Sequence, residues 1–157
     1  MTKEALKNAL SQILQSADAV AALTTIAADG VPTTVIDAEF SVTEKGTLLY
    51  REFFEGSRSN RDLLHSLWFN RVVSFAVSDG DTRLHGYGVP THSHVAGPLF
   101  QEHYRATNER DNSADLAAVW EIRIDDLEDV SPQLLRNKQD TQRPFFRHLD
   151  RLITPEA

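Results

Sequence analysis

Two runs of β-prone residues, 21–28 and 31–37, are separated only by Asp29-Gly30. An Asp-Gly pair takes up the positive φ of a tight turn, so the runs are expected to be neighbouring antiparallel strands. Pro32 has no N–H to give to a ladder, which places it at the start or edge of its strand. A third strand follows Glu44-Lys45-Gly46 and runs through Leu48-Leu49-Tyr50. Residues 71–78 form a fourth, and the Asp79-Gly80-Asp81 turn leads to a fifth at 82–89. In a sixth, Ala118, Trp120, Ile122 and Ile124 alternate with Val119, Glu121 and Arg123, the pattern of a half-buried strand. Helices interrupt these strands instead of alternating with them, which points to a small antiparallel barrel and away from a βαβ fold.

The helices are legible too. Residues 2–17 carry Leu6, Leu10, Ile13, Leu14 and Ala17 on one stripe, with Thr2 as the cap. Gly97-Pro98 opens a short helix bearing Leu99, Phe100 and Tyr104, and 108–112 reads as a loop. Gly86 and Gly88 inside the fifth strand mark a bulge or the close approach of a flat ligand or another backbone. A tail over 140–157 contains Phe145, Phe146, Leu149, Leu152 and Ile153, a short helix in search of a surface. The whole, 1–157, reads as a single domain with the barrel over 20–135.

Composition narrows the partners. A net charge of −7 argues against nucleic acid, whose binding requires many cations set against phosphates. No apolar run approaches the roughly 20 residues that span a bilayer, so no membrane partner is expected. There is no cysteine, which excludes disulfides and thiolate metal sites. With nothing resembling an export signal at the start, the cytoplasm is the expected compartment.

The chemistry concentrates at 50–64. A strand ends near Arg51, a loop follows, and a helix opens near Ser57 with Leu63, Leu64 and Leu67 behind it. Ser57 can cap that helix. The free N–H groups of its first turn carry partial positive charge, and Arg58 and Arg61 stand among them. With Arg51 they make a candidate site for an anion, most naturally a phosphate. The plainer reading is a capped helix with solvated arginines.

The ordered set Leu23-Thr24-Thr25-Ile26, Asp29-Gly30-Val31-Pro32, Leu48-Leu49-Tyr50-Arg51, Gly56-Ser57-Arg58, Arg71-Val72-Val73-Ser74-Phe75, Leu84-His85-Gly86-Tyr87-Gly88 and Val119-Trp120-Glu121-Ile122-Arg123-Ile124 resembles the pyridoxamine 5′-phosphate oxidase-like family. The likeness covers roughly residues 5–135. It implies a mainly β fold, a six-stranded antiparallel split β-barrel with peripheral helices, assembled as a homodimer. It also implies FMN in clefts at the subunit interface, and a small oxidoreductase acting on a small-molecule redox substrate. In that family a Ser-Arg-Lys segment at the helix start grips the FMN phosphate. Ser57 and Arg58 match it, Ser59 stands in the place of the lysine, and Arg51 and Arg61 are the cations at hand. Phe53 replaces a small hydroxyl residue often found there. A non-enzymatic barrel that binds FMN or haem for storage, sensing or stress protection is the alternative the resemblance allows.

Other chemistry is sparser. His92-x-His94, with His103 beyond it, could assemble a three-histidine metal site, or His92, His94 or His148 could ligate haem. Pro90 and Gly97 bracket the pair as loop and surface histidines are far commoner than ligands, so no metal is expected. Ser57 lacks a nucleophile elbow, which leaves the catalytic residues unassigned. Trp68 and Trp120 are both expected in the core.

Overall fold

A computed structural model of the chain describes residues 1–143. Its elements are α1 (Lys3–Gln15), β1 (Val20–Ile26), β2 (Pro32–Ile36), β3 (Glu39–Val42), β4 (Leu48–Glu52), α2 (Arg58–Phe69), β5 (Val73–Ser78), β6 (Arg83–His94), α3 (Pro98–Arg110), β7 (Ala118–Asp129) and α4 (Pro132–Gln142). The strands form one antiparallel sheet in the order β2-β1-β5-β6-β7-β4-β3. The expected tail helix with Phe145 and Phe146 lies outside the described residues.

The sheet curls because of its connectivity. Consecutive strands β2 and β3 occupy opposite edges, yet only Asp37 and Ala38 join them. Seven strands laid flat would be about 29 Å across, whereas three virtual bonds reach at most about 11 Å. The edges are therefore drawn together into a mainly β split barrel. The Ala38 N–H donates to the Ala21 carbonyl of β1 at 3.1 Å just past the β1–β2 ladder, and Asp37 takes φ 55° to turn the chain there.

The first hairpin and its partners follow the sequence. Ile26 pairs with Pro32, which opens the edge strand β2, and Leu23 pairs with Phe75 of β5. The strand count needs one correction, seven where six were expected. β3 has only four residues and two apolar positions, Phe40 and Val42, too few for alternation to register. Pairing against Tyr50 and Leu48 of β4 makes it a strand. β6 also runs on to His94, past Pro90, because a register shift between Pro90 and His92 absorbs the missing N–H. α3 extends through Arg110, so 108–110 are helical, not loop.

Inside the curl lie Leu23, Leu48, Leu63, Phe75, Leu84, Trp120 and Ile122. α1 adds Leu6, Leu10 and Ile13 from its buried stripe, with Thr2 Oγ1 accepting from the Ala5 N–H at 3.2 Å as its cap. Each such aliphatic side chain contributes on the order of 1.5–3 kcal/mol by leaving water. A second cluster on the outer side of β4 and β7 joins Leu49, Leu116 and Val119 to Phe53, Leu99 and Phe100, which seats α3. Among the described residues no helix is long and apolar enough to cross a membrane.

The two glycines of β6 serve close approach, to the fold's own strands. A Cβ on Gly86 would lie 2.2 Å from Cζ of Phe75, whose ring covers the glycine from the neighbouring strand. A Cβ on Gly88 would lie 1.8 Å from the Arg123 carbonyl oxygen of β7, beside a register shift.

Candidate functional site

Ser57 caps α2 in an extended conformation (φ −67°, ψ 154°), and its Oγ accepts from the Asn60 N–H at 3.0 Å. The Arg61 N–H donates to the Ser57 carbonyl at 3.2 Å. No described group accepts from the N–H groups of Arg58 and Ser59, which keep the partial positive charge of a helix start. Trp120 donates from Nε1 to Asn60 Oδ1 at 2.9 Å, tying this first turn to β7 across the core.

Arg58 and Arg61 are exposed and line one groove of about 520 Å³ with Ala27, Asp29, Asp62 and His65. Neither arginine forms a salt bridge with a described residue. The two carboxylates in the groove are engaged locally. Asp62 is buried and accepts from Thr25 Oγ1 at 3.0 Å, and Asp29 accepts from the Val31 N–H at 3.1 Å. The groove thus sets two guanidiniums along the start of α2, beside two carboxylates already engaged by hydrogen bonds. Guanidiniums near a helix start are donors suited to a phosphate.

The other residues singled out in the sequence go elsewhere. Arg51, half-buried on β4, holds Glu39 at 3.4 Å, and Arg110 holds the same carboxylate at 2.7 Å. Burial draws the Arg51 pKa down, as does Arg110, while Glu39 opposes the shift. Ser59 is turned inward at 5% exposure and donates to Glu52 Oε2 at 2.7 Å. Phe53 packs outside the groove, against the Leu49 cluster. Trp120 is core as expected, but Trp68 is 77% exposed on α2, beside exposed Phe69.

Sequence reasoning missed Glu52, which is 3% exposed with no cation in ion-pair range among the described residues. Its carboxylate accepts from Tyr50 Oη at 3.1 Å, Ser59 Oγ at 2.7 Å and the Phe54 N–H at 3.2 Å. Burial first, and the Glu52 charge second, push the Tyr50 phenol up, so it stays a donor. Alternation along β4 was the available signal, since Leu48, Tyr50 and Glu52 share the inward face.

His92 and His94 lie on strand β6, not in a loop, and Glu121 of β7 joins them. His103 sits on α3, half-buried; burial and then Arg51 lower its pKa, which keeps the imidazole neutral. His148 lies outside the described residues.

No protein-family model matches the sequence, and no curated protein matches it. Among solved structures, HupZ of Group A Streptococcus is similar at a TM-score of 0.64 and 15% identity, over 84% of this chain and 96% of that one. An FMN-binding protein from Syntrophomonas wolfei gives a TM-score of 0.64 at 12% identity, over 82% and 88%. A candidate pyridoxamine 5′-phosphate oxidase from Lactobacillus delbrueckii gives 0.58 at 16% identity, over 82% and 93%. The fold is the pyridoxamine 5′-phosphate oxidase-like split barrel.

Against the phosphate segment described for such split barrels, Ser57 and Arg58 occupy the expected helix start. Ser59 fills the lysine position with a buried hydroxyl. Arg61, two residues after Ser59, lines the same groove as Arg58.

Proposed function

We propose that this split barrel binds FMN, with the phosphate held at the start of α2, and that its chemistry is the redox chemistry of the flavin on a small molecule. The observation that supports this reading is the pair Arg58 and Arg61, two guanidiniums without a described carboxylate partner facing one groove at a helix N-terminus. A helix start supplies about half a unit charge, while a phosphate monoester carries nearly two. Side chains must supply the rest. The flavin ring brings the electron transfer when bound; the chain's part is to hold the phosphate and position the ring.

Titration of FMN fluorescence tests the reading. A charge-assisted hydrogen bond is worth about 1.5–3 kcal/mol, so Arg58→Ala should weaken FMN by roughly 10- to 150-fold. Arg61→Ala should cost a similar factor, because Arg61 stands in for the missing lysine. Arg110→Ala, paired with Glu39 away from the groove, should change little. Riboflavin, without the phosphate, should bind wild type poorly and ignore the Arg58 change. Equal FMN affinity in wild type and Arg58→Ala would remove this site from consideration.

The same reading carries a homodimer. The outer side of β1, β2 and β5 leaves a shallow apolar depression around Val20, Ala22, Ile36 and Ala76, with Ile36 79% exposed. Such a face invites a self-complementary two-fold contact. Light scattering should return about twice 17.6 kDa for wild type and about 17.6 kDa for Ile36→Asp. A wild-type monomer across a wide concentration range would refute it.

A further inference from the structure

We propose that His92, His94 and Glu121 form a site for one divalent cation of the zinc class, with a water completing its coordination. The site is built by β6 and β7. The register shift after Pro90 sets His92 opposite Glu121 and His94 opposite Val119. Alternate residues of a strand share a face, so both imidazoles lie on the same side of β6. One ligand atom from each of the three residues falls within 4.8 Å of the others. The two imidazole rings stand 4.1 Å apart at 40°.

The finer geometry suits a cation as well as a simple His–Glu pair. His94 Nε2 lies 3.4 Å from Glu121 Oε2, yet this buried nitrogen has no hydrogen-bond partner, so the two groups converge without being aligned on each other. Ligand atoms held about 2.0–2.2 Å from a tetrahedral ion stand about 3.3–3.6 Å apart. The observed 3.4 Å falls within that range. His92 is exposed, and its ring rests against that of His94. Two imidazoles and a carboxylate are a zinc ligand set that leaves one position to water, and cobalt and nickel accept the same donors. Nearby Arg51 is occupied by Glu39, which limits its opposition to a bound cation. None of the three residues lines the groove of Arg58 and Arg61, so the site does not depend on the FMN reading.

The test is calorimetric titration of untagged, chelator-treated full-length protein with Zn2+. Wild type should bind one ion per chain. His94→Ala and Glu121→Gln should each weaken that ion on the order of 10- to 100-fold or more, while His103→Ala and His65→Ala stay near wild type. Circular dichroism establishes that each variant is folded. Co2+ gives an independent readout, as the intense visible bands of a tetrahedral site should appear in wild type and be absent from His94→Ala. Failure of wild type to bind Zn2+, equal affinity in His94→Ala, or a loss in His103→Ala as large as in His94→Ala would overturn the assignment.

Discussion

Replacing Gly88 even by alanine is expected to cost on the order of 3 kcal/mol or more, beyond the usual 1–3 kcal/mol of an overpacked core. The added Cβ would fall 1.8 Å from the Arg123 carbonyl oxygen and 2.8 Å from its carbon. That obstacle is the backbone of β7, and it cannot rotate away without parting β6 from β7 at the centre of the sheet. Against a total stability of about 5–15 kcal/mol, the loss leaves a marginal fold at best. Gly86→Ala should cost less, about 1–3 kcal/mol, because the atoms it meets belong to the Phe75 ring, which can tilt. Gly56→Ala, where a Cβ meets nothing within 4 Å, is the neutral control. Urea unfolding followed by circular dichroism should order the midpoints, from highest to lowest, Gly56→Ala, Gly86→Ala, Gly88→Ala. A Gly88→Ala midpoint equal to wild type would refute the β6–β7 register on which the barrel and the His92 cluster both depend.

Glu52→Ala should destabilise the protein by roughly 2–4 kcal/mol, because a buried donor left unsatisfied costs about 1–3 kcal/mol. Tyr50 Oη is orphaned, while Ser59 Oγ keeps Ser57 Oγ at 3.0 Å and the Phe54 N–H is near solvent. Tyr50 Oη, Ser59 Oγ and the Phe54 N–H all converge on this carboxylate. Glu52→Gln should recover only part of the loss. Oε2 accepts two donors and Oε1 a third, so an amide NH2 in either place faces an N–H or O–H that needs an acceptor. Ser59→Ala should cost about 1–3 kcal/mol in stability and leave FMN affinity near wild type, since its hydroxyl is buried between Glu52 and Ser57 Oγ and does not line the groove. A Ser59→Ala protein of unchanged stability but weakened FMN would mean that Ser59, and not Arg61, has taken over the lysine's part in holding the phosphate.

The local choices were readable from the chain alone. Asp29-Gly30 marked the first hairpin, Thr2 and Ser57 capped their helices, and Pro32 began an edge strand. Those features depend on φ preferences and on hydrogen bonds a few residues apart, so neighbouring residues suffice to specify them. The helix start bearing Arg58 and Arg61 was legible for the same reason.

What remained hidden depended on residues far apart in sequence. β3 became a strand through pairing with β4, and Pro90 was admitted to β6 by a register shift against β7. Phe75 and the Arg123 carbonyl crowd the two glycines. Trp68 and Trp120 are the same residue type, yet one is exposed and the other buried, because Trp68 lies on the outer side of α2 and Trp120 on the face of β7 that the curled sheet encloses. Arg51 was drawn to Glu39, which Arg110 also holds, Ser59 to Glu52, and His92 and His94 to Glu121. Short-range preferences carried in the chain set out most of its strands, its caps and its cations. The closing of the sheet then chose which charged and polar groups meet, since burial and long-range pairing are properties of the assembled barrel and not of any segment of it.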